Sequence, residues 1–278
     1  MLTGKRSQTR LDAMSTRAQR YDAVVLSRAR ISPHLLRLTL SVPGLESTGI
    51  ADEWVGLVVP GQFQVRYYTV RSLDSDHLVI DVVVHEEGLV TGWATGDCEG
   101  DRVVITGAQG SFDPPEDAAW LMLVGDLTAL PAMARIAETV AGRSSATSGW
   151  SGGVETRIWA EVPDDLTGYL PDGVDVTWLE PPAEGQSRLG EVVEGIDWPS
   201  GEGYFWMAGE SAQMRTIRKY LMRERRLPST AYDVMGYWRA VAARQPRSVD
   251  PGPIWQAGRA AGHSDEQIWA AYDEARGG

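Results

Sequence analysis

The chain has 278 residues, 43% hydrophobic and 23% charged, enough apolar material for one large core or two ordinary ones and too much for global disorder. Its formal net charge of −12 would repel a nucleic-acid backbone, so nucleic acid is not an expected partner. Cys98 is the sole cysteine, which excludes intramolecular disulfides, and His34, His77, His85 and His263 show no ligand spacing, so no metal site is expected.

Residues 1–17 carry Lys5, Arg6, Arg10 and Arg17 without an apolar core behind them and read as a flexible basic arm. The arm has no apolar h-region, so it does not read as a signal peptide, and nowhere does an apolar run approach the ~18 residues of a membrane span. A cytoplasmic protein, acting as a monomer, is the expectation.

From residue 18 to 115 the chain reads as strand after strand: Tyr21–Leu26, Leu35–Leu40, Val55–Val59, Gln64–Val70, Leu78–His85 and Arg102–Thr106. These are β-branched or alternating runs between breakers, the pattern of an antiparallel β-barrel of Greek-key type. One short helix interrupts them near Thr91. The Gly/Pro-rich stretch Gly107–Pro115 then punctuates the chain.

Residues 118–244 alternate strands with helices, which predicts an α/β domain with a doubly wound parallel sheet. Strands are expected at Trp120–Gly125, Arg157–Val162, Val174–Leu179, Tyr204–Gly209 and Tyr232–Trp238, with helices at Thr128–Val140 and Glu210–Arg226. The second helix carries Arg215, Arg218, Lys219, Arg223, Arg225 and Arg226, a solvated face or a dock for an acidic electron carrier such as ferredoxin. Residues 245–278 form a tail with a short helix at Asp265–Arg276. A barrel followed by a nucleotide-type α/β domain is the ferredoxin-reductase-like architecture.

Three clusters carry chemistry. Arg66-Tyr67-Tyr68-Thr69-Val70-Arg71 lies on a barrel strand and offers the flat aromatic, small hydroxyl and arginine that a flavin nucleotide needs, although any half-exposed strand uses the same residues. His85, Gly88 and Thr91 surround a turn into the short helix, with Thr91 as its expected N-cap, where free N–H groups suit a pyrophosphate. Gly125-Asp126-Leu127-Thr128 follows the first parallel strand, where open α/β sheets bind ligands, yet it is not the Gly-x-Gly-x-x-Gly fingerprint.

The order of these motifs resembles the siderophore-interacting protein family. The pattern comprises Arg66-x-Tyr68-Thr69-Val70-Arg71, Asp81-x-x-x-His85, Gly88-x-x-x-x-Trp93-Ala94, Gly100-Asp101, Gly107-x-x-Gly110, Gly125-Asp126-x-Thr128-Ala-Leu-Pro-Ala132, Ala208-Gly-Glu210 and Gly236-Tyr-Trp-Arg239. Leu127 departs from it, standing where the family more often has an acidic residue. The resemblance implies that the chain holds FAD and reduces a ferric siderophore, releasing ferrous iron for iron acquisition. NADH or NADPH, or ferredoxin, would serve as electron donor. It also implies a cofactor-binding set of Arg66, Tyr68, Thr69, Val70, Asp81, His85, Gly88, Thr91, Asp126 and Thr128, with the flavin rather than a side chain as the catalytic group.

Ferric siderophores are commonly anionic, so Arg71, Arg135 and Arg239 are the expected substrate-docking residues. A non-catalytic siderophore-binding or delivery protein and a general NAD(P)H:flavin or ferric reductase are the competing readings.

Overall fold

The computed structural model describes residues 19–61, 64–85, 88–142, 154–183, 186–239 and 261. The basic arm before residue 18 and the helix expected at Asp265–Arg276 lie outside them. The barrel and the α/β sheet belong to one compact unit that ends at Arg239.

Six antiparallel strands close the barrel in the order β1-β2-β5-β4-β3-β6: β1 (Arg20–Ser32), β2 (Leu35–Ser41), β3 (Trp54–Val58), β4 (Arg66–Asp74), β5 (His77–Val83) and β6 (Arg102–Thr106). Closure leaves no free sheet edge. Alternation fills the interior with Val25, Leu36, Leu38, Leu40, Val55, Leu57, Val70, Ile80 and Ile105. Strand β1 runs to 13 residues, about twice the length its apolar start suggests. Arg20–Val24 pair with β6, and Val24–Ser32 pair with β2 across two register shifts. Such bulges bend a strand, which lets one strand serve two neighbours at the seam. Helix α1 (Leu89–Thr95) follows β5 and buries Val90 and Ala94.

Five parallel strands form the second sheet in the order β11-β10-β7-β8-β9, with β7 (Trp120–Asp126), β8 (Glu155–Glu161), β9 (Asp175–Leu179), β10 (Gly203–Glu210) and β11 (Tyr232–Trp238). Every residue of β7 and β10 is buried, as expected of central parallel strands covered on both faces. Helix α2 (Leu130–Gly142) follows β7 and contacts β4 of the barrel as well as β7 and β8. Helices α3 (Leu189–Gly195) and α4 (Ser211–Arg223) pack on each other and on the sheet.

Local chemistry sets the helix boundaries. The Asp126 carboxylate accepts from the Thr128 amide at 2.9 Å, and the Ala129 amide donates to the Asp126 carbonyl at 3.0 Å. This turn holds Thr128 outside α2, so the helix starts two residues after the expected position. Glu210 caps α4 by accepting from the amides of Ala212 at 2.8 Å and Gln213 at 3.2 Å. Helix α1 begins at Leu89, which puts Thr91 inside its first turn and not at the N-cap. The Thr91 hydroxyl instead donates to the Val83 carbonyl at 3.4 Å.

Candidate functional site

The C-terminal ends of β7, β8, β9 and β11 open onto a cavity of about 530 Å³. The sheet supplies Asp126, Leu127, Thr128, Glu161, Glu180 and Trp238, and the barrel supplies His34, Val83, Val84 and His85. Ligands of open α/β sheets bind in this position, beyond the carboxyl ends of the strands. Among the expected residues, His85, Asp126 and Thr128 meet here.

Asp126 sits at the centre of a closed hydrogen-bond set. Thr128 donates from its amide and hydroxyl at 2.9 and 2.5 Å, and the Trp238 indole donates at 2.5 Å. Burial raises the pKa of its carboxyl above the ordinary aspartate range, with those bonds pulling the other way. Glu161 pairs with Asp126 in the β7–β8 register and is 2% exposed. Its Oε1 accepts from the Arg188 amide at 3.0 Å, while Oε2 has no hydrogen-bond partner of good geometry among the described residues. Burial raises the Glu161 pKa too, opposed by the bonds from the Ser187 hydroxyl and the Arg188 amide and by the Arg188 charge, while the Asp126 charge adds to the rise. The described lining contains no lysine or arginine. The sheet side of the lining is therefore acidic, with the Arg188 charge acting on Glu161 from outside the lining.

Strand β4 presents the second group. Arg66 is exposed and donates to the Gln64 side chain at 2.8 Å. Tyr68 packs against the barrel core, and burial pushes its phenol up to about 12, opposed by the charge of Arg66. Thr69 is buried on the other face beside Tyr237. The buried Tyr237 hydroxyl has no hydrogen-bond partner of good geometry among the described residues. These residues fit a flavin nucleotide: an exposed guanidinium suits a phosphate, and an orphaned hydroxyl beside Thr69 suits a polar ring edge.

Four expected site residues are otherwise engaged. Val70 is fully buried in the barrel core; its amide donates to the Glu53 carbonyl at 2.9 Å and its carbonyl accepts from Arg135 at 2.7 Å. Asp81 accepts a bidentate pair from Arg37 at 2.8 and 2.7 Å and a bond from the Tyr169 hydroxyl, so its carboxylate is filled by protein donors. Arg135 donates to Val70 and to the fully buried Glu53 carboxylate at 2.5 Å, joining α2 to the barrel. Its guanidinium thus neutralises a buried charge, an engagement different from the docking role expected of it. Arg71 is paired with Glu138 and stacks over Tyr169, in a separate cleft outside the 530 Å³ cavity. Arg239, directly after Trp238, is exposed. Gly88 lies just before α1, outside the cavity lining.

The residues that sequence reasoning missed are Glu161, Glu180 and Tyr237. An acidic residue closing the apolar run Ile158-Trp-Ala was the available signal for the first.

Comparison with known proteins gives the family. Residues 118–241 match the siderophore-interacting protein family, and residues 61–112 match its siderophore-interacting FAD-binding domain. The chain belongs to the siderophore-interacting proteins. It is 30% identical over 190 residues to the ferric vibriobactin reductase ViuB of Vibrio cholerae, covering 65% of each chain. It is 26% identical over 169 residues to the NADPH-dependent ferric-chelate reductase of Escherichia coli, covering 59% of this chain and 61% of that one. A siderophore utilization protein from T. fusca superposes with a TM-score of 0.66 at 28% identity, covering 82% of this chain and 95% of that one. The ferredoxin-NADP+ reductase of Plasmodium falciparum shares the fold, with a TM-score of 0.63 at 12% identity over 78% of this chain and 96% of that one. The ferredoxin-reductase-like architecture expected from the strand and helix order is the one observed. Among the described residues, no helix is long and apolar enough to cross a membrane.

Proposed function

We propose that this siderophore-interacting protein binds FAD along β4 and reduces ferric siderophores, releasing ferrous iron in the cytoplasm. The observation that carries the reading is the joining of a barrel matching an FAD-binding domain to a sheet whose C-terminal edge opens, beside barrel residues Val83–His85, into a ligand-sized cavity. Oxygen-donor chelates hold hard ferric iron tightly and ferrous iron far less so, so reduction frees the metal without destroying the chelator.

When bound, FAD supplies hydride acceptance from a nicotinamide nucleotide and single-electron delivery to iron. Overall, one hydride leaves the reduced nucleotide and two ferric chelates each gain one electron. The products are the oxidised nucleotide, two ferrous ions and a proton.

Arg66 would hold phosphate, and Tyr68 and Thr69 the isoalloxazine. His85, Gly88 and Thr91 would border the ribityl-phosphate and adenosine side. Asp126 and Thr128 face the cavity and shape the approach of donor and chelate. Arg239 would draw an anionic chelate toward the cavity mouth.

The test is a visible spectrum of the purified protein before and after anaerobic addition of NADH or NADPH, followed by a ferric siderophore and a ferrous trap. Bleaching that recovers as ferrous iron appears is the expected result. Bleaching only by reduced ferredoxin would move the donor to a protein partner. A colourless protein that cannot be reconstituted with FAD would sink the proposal and leave a binding or delivery role.

A further inference from the structure

The reading above leaves open which reduced nucleotide the cavity takes, and the inference here rests on a nicotinamide nucleotide being the donor. In a doubly wound sheet the strands beside the first one receive the adenosine ribose. An acidic side chain there accepts a hydrogen bond from the ribose 2′-hydroxyl, whereas a 2′-phosphate calls for an arginine. In this chain β8 lies beside β7 on that side, and β9 lies beyond β8. Glu161 ends β8, and Glu180 follows β9 directly. Both line the cavity, and no lysine or arginine does so among the described residues.

The carboxylates there are not equivalent. Asp126 has both oxygens filled by Thr128 and Trp238. Glu161 is 2% exposed, yet its Oε2 has no hydrogen-bond partner of good geometry among the described residues, with the Ser187 hydroxyl the nearby donor. A buried oxygen left without a donor is costly unless a ligand supplies one. Glu180 is exposed and lies at the rim. A hydroxyl donor satisfies Glu161. A phosphate dianion offers no proton to it and adds like charge to an acidic wall.

We propose that Glu161 and Glu180 form a ribose-diol site that makes the cavity selective for NADH over NADPH. Glu161 accepts from the 2′-hydroxyl, and Glu180 adds the repulsion that rejects a 2′-phosphate.

The test uses the FAD-loaded protein. ADP-ribose and 2′-phospho-ADP-ribose are titrated by calorimetry, and anaerobic flavin bleaching is followed with NADH and NADPH. The unphosphorylated ligand is expected to bind at least about tenfold more tightly, and NADH to bleach faster by a similar factor. Glu161→Gln should weaken ADP-ribose, and Glu180→Arg should strengthen 2′-phospho-ADP-ribose, so each narrows the ratio. Both substitutions keep side-chain bulk, and an unchanged melting temperature verifies folding. Equal or tighter binding of the phosphorylated ligand by the unaltered protein overturns the proposal, as does a ratio that neither variant moves. A flavin that neither nucleotide bleaches, but that dithionite reduces and a ferric siderophore reoxidises, overturns it and leaves the ferric reductase reading intact. A protein that takes up no flavin overturns both.

Discussion

The Trp238 indole reaches across strand β10 to donate to the Asp126 carboxylate at 2.5 Å, tying the ends of β11 and β7 together over the strand that separates them. Gly209 of β10 makes the crossing physically open. A Cβ built there would sit 2.7 Å from Asp126 Oδ2, inside any real contact distance. The bond fixes one wall of the cavity, because Asp126 and Trp238 both line it.

Gly209→Ala is therefore expected to displace the Asp126 carboxylate and break the bridge. Overpacking of this kind costs about 1–3 kcal/mol. Thermal unfolding should show a lowered Tm, and the Trp238 fluorescence environment should change with it. A variant as stable as the parent, with unchanged emission, would show that the sheet end accommodates the methyl without losing the bond.

Arg135→Ala separates the two roles open to this residue. Glu53 is fully buried, and apart from Arg135 its carboxylate accepts from Ser47 at 2.7 Å and from the Thr48 hydroxyl and amide at 2.6 and 2.7 Å. Removing the guanidinium leaves a buried carboxylate without its cation, which costs about 3–5 kcal/mol. Chemical denaturation should report a loss of this size. A variant of unchanged stability with a raised KM for an anionic ferric chelate would restore the docking role.

The same pair gives a pH dependence. Burial alone would raise the Glu53 pKa, but the bonds from Ser47, Thr48 and Arg135, together with the charge of Arg135, outweigh it and hold the carboxyl below its usual range. A depressed folded-state pKa adds stability that is fully present above the unfolded value of about 4.3 and is lost as pH falls through the folded value. Glu53→Gln should therefore lower stability near neutral pH and flatten the acid limb of the curve. Urea unfolding across the acid range checks this, and an acid limb parallel to the parent's would assign the acid sensitivity to other carboxylates.

The elements with strong periodicity were legible in sequence, and those that depend on distant partners were not. Strand β6 and strand β11 were bounded correctly because each is a short apolar run between turn residues. The second half of β1, Ser27–Ser32, has only Ala29 and Ile31 as apolar residues and is exposed apart from Ser32, so it buries no apolar face of its own; pairing with β2 makes it a strand. Helix α3 has only seven residues, Leu-Gly-Glu-Val-Val-Glu-Gly, too few for a period to stand out from the loop around it, and Leu189 and Val193 hold it by tertiary packing. At the site, the family resemblance implied a cofactor contact for Asp81, and the negative charge of ferric siderophores suggested a docking role for Arg135. Their engagement by Arg37, Tyr169 and Glu53 depends on strand register and interdomain packing, which one sequence does not display. Glu161 escaped notice for the converse reason: one acid at a strand end reads as surface until its burial is known.

Arg239 provides the remaining test of substrate docking. It follows Trp238 directly and is exposed, whereas Arg71 and Arg135 are held by Glu138 and Glu53. If it attracts anionic chelates to a cavity whose described lining contains three carboxylates and no lysine or arginine, its effect should depend on substrate charge and salt. Arg239→Ala is expected to raise KM several-fold for an anionic ferric chelate at low ionic strength and little for a neutral one. Stability should stay within about 0.5 kcal/mol, as for most surface substitutions. Steady-state assays with a catecholate and a neutral hydroxamate complex, each at low and high salt, separate the outcomes. An equal rise in KM for both chelates, insensitive to salt, would show that Arg239 acts by shape and not by charge.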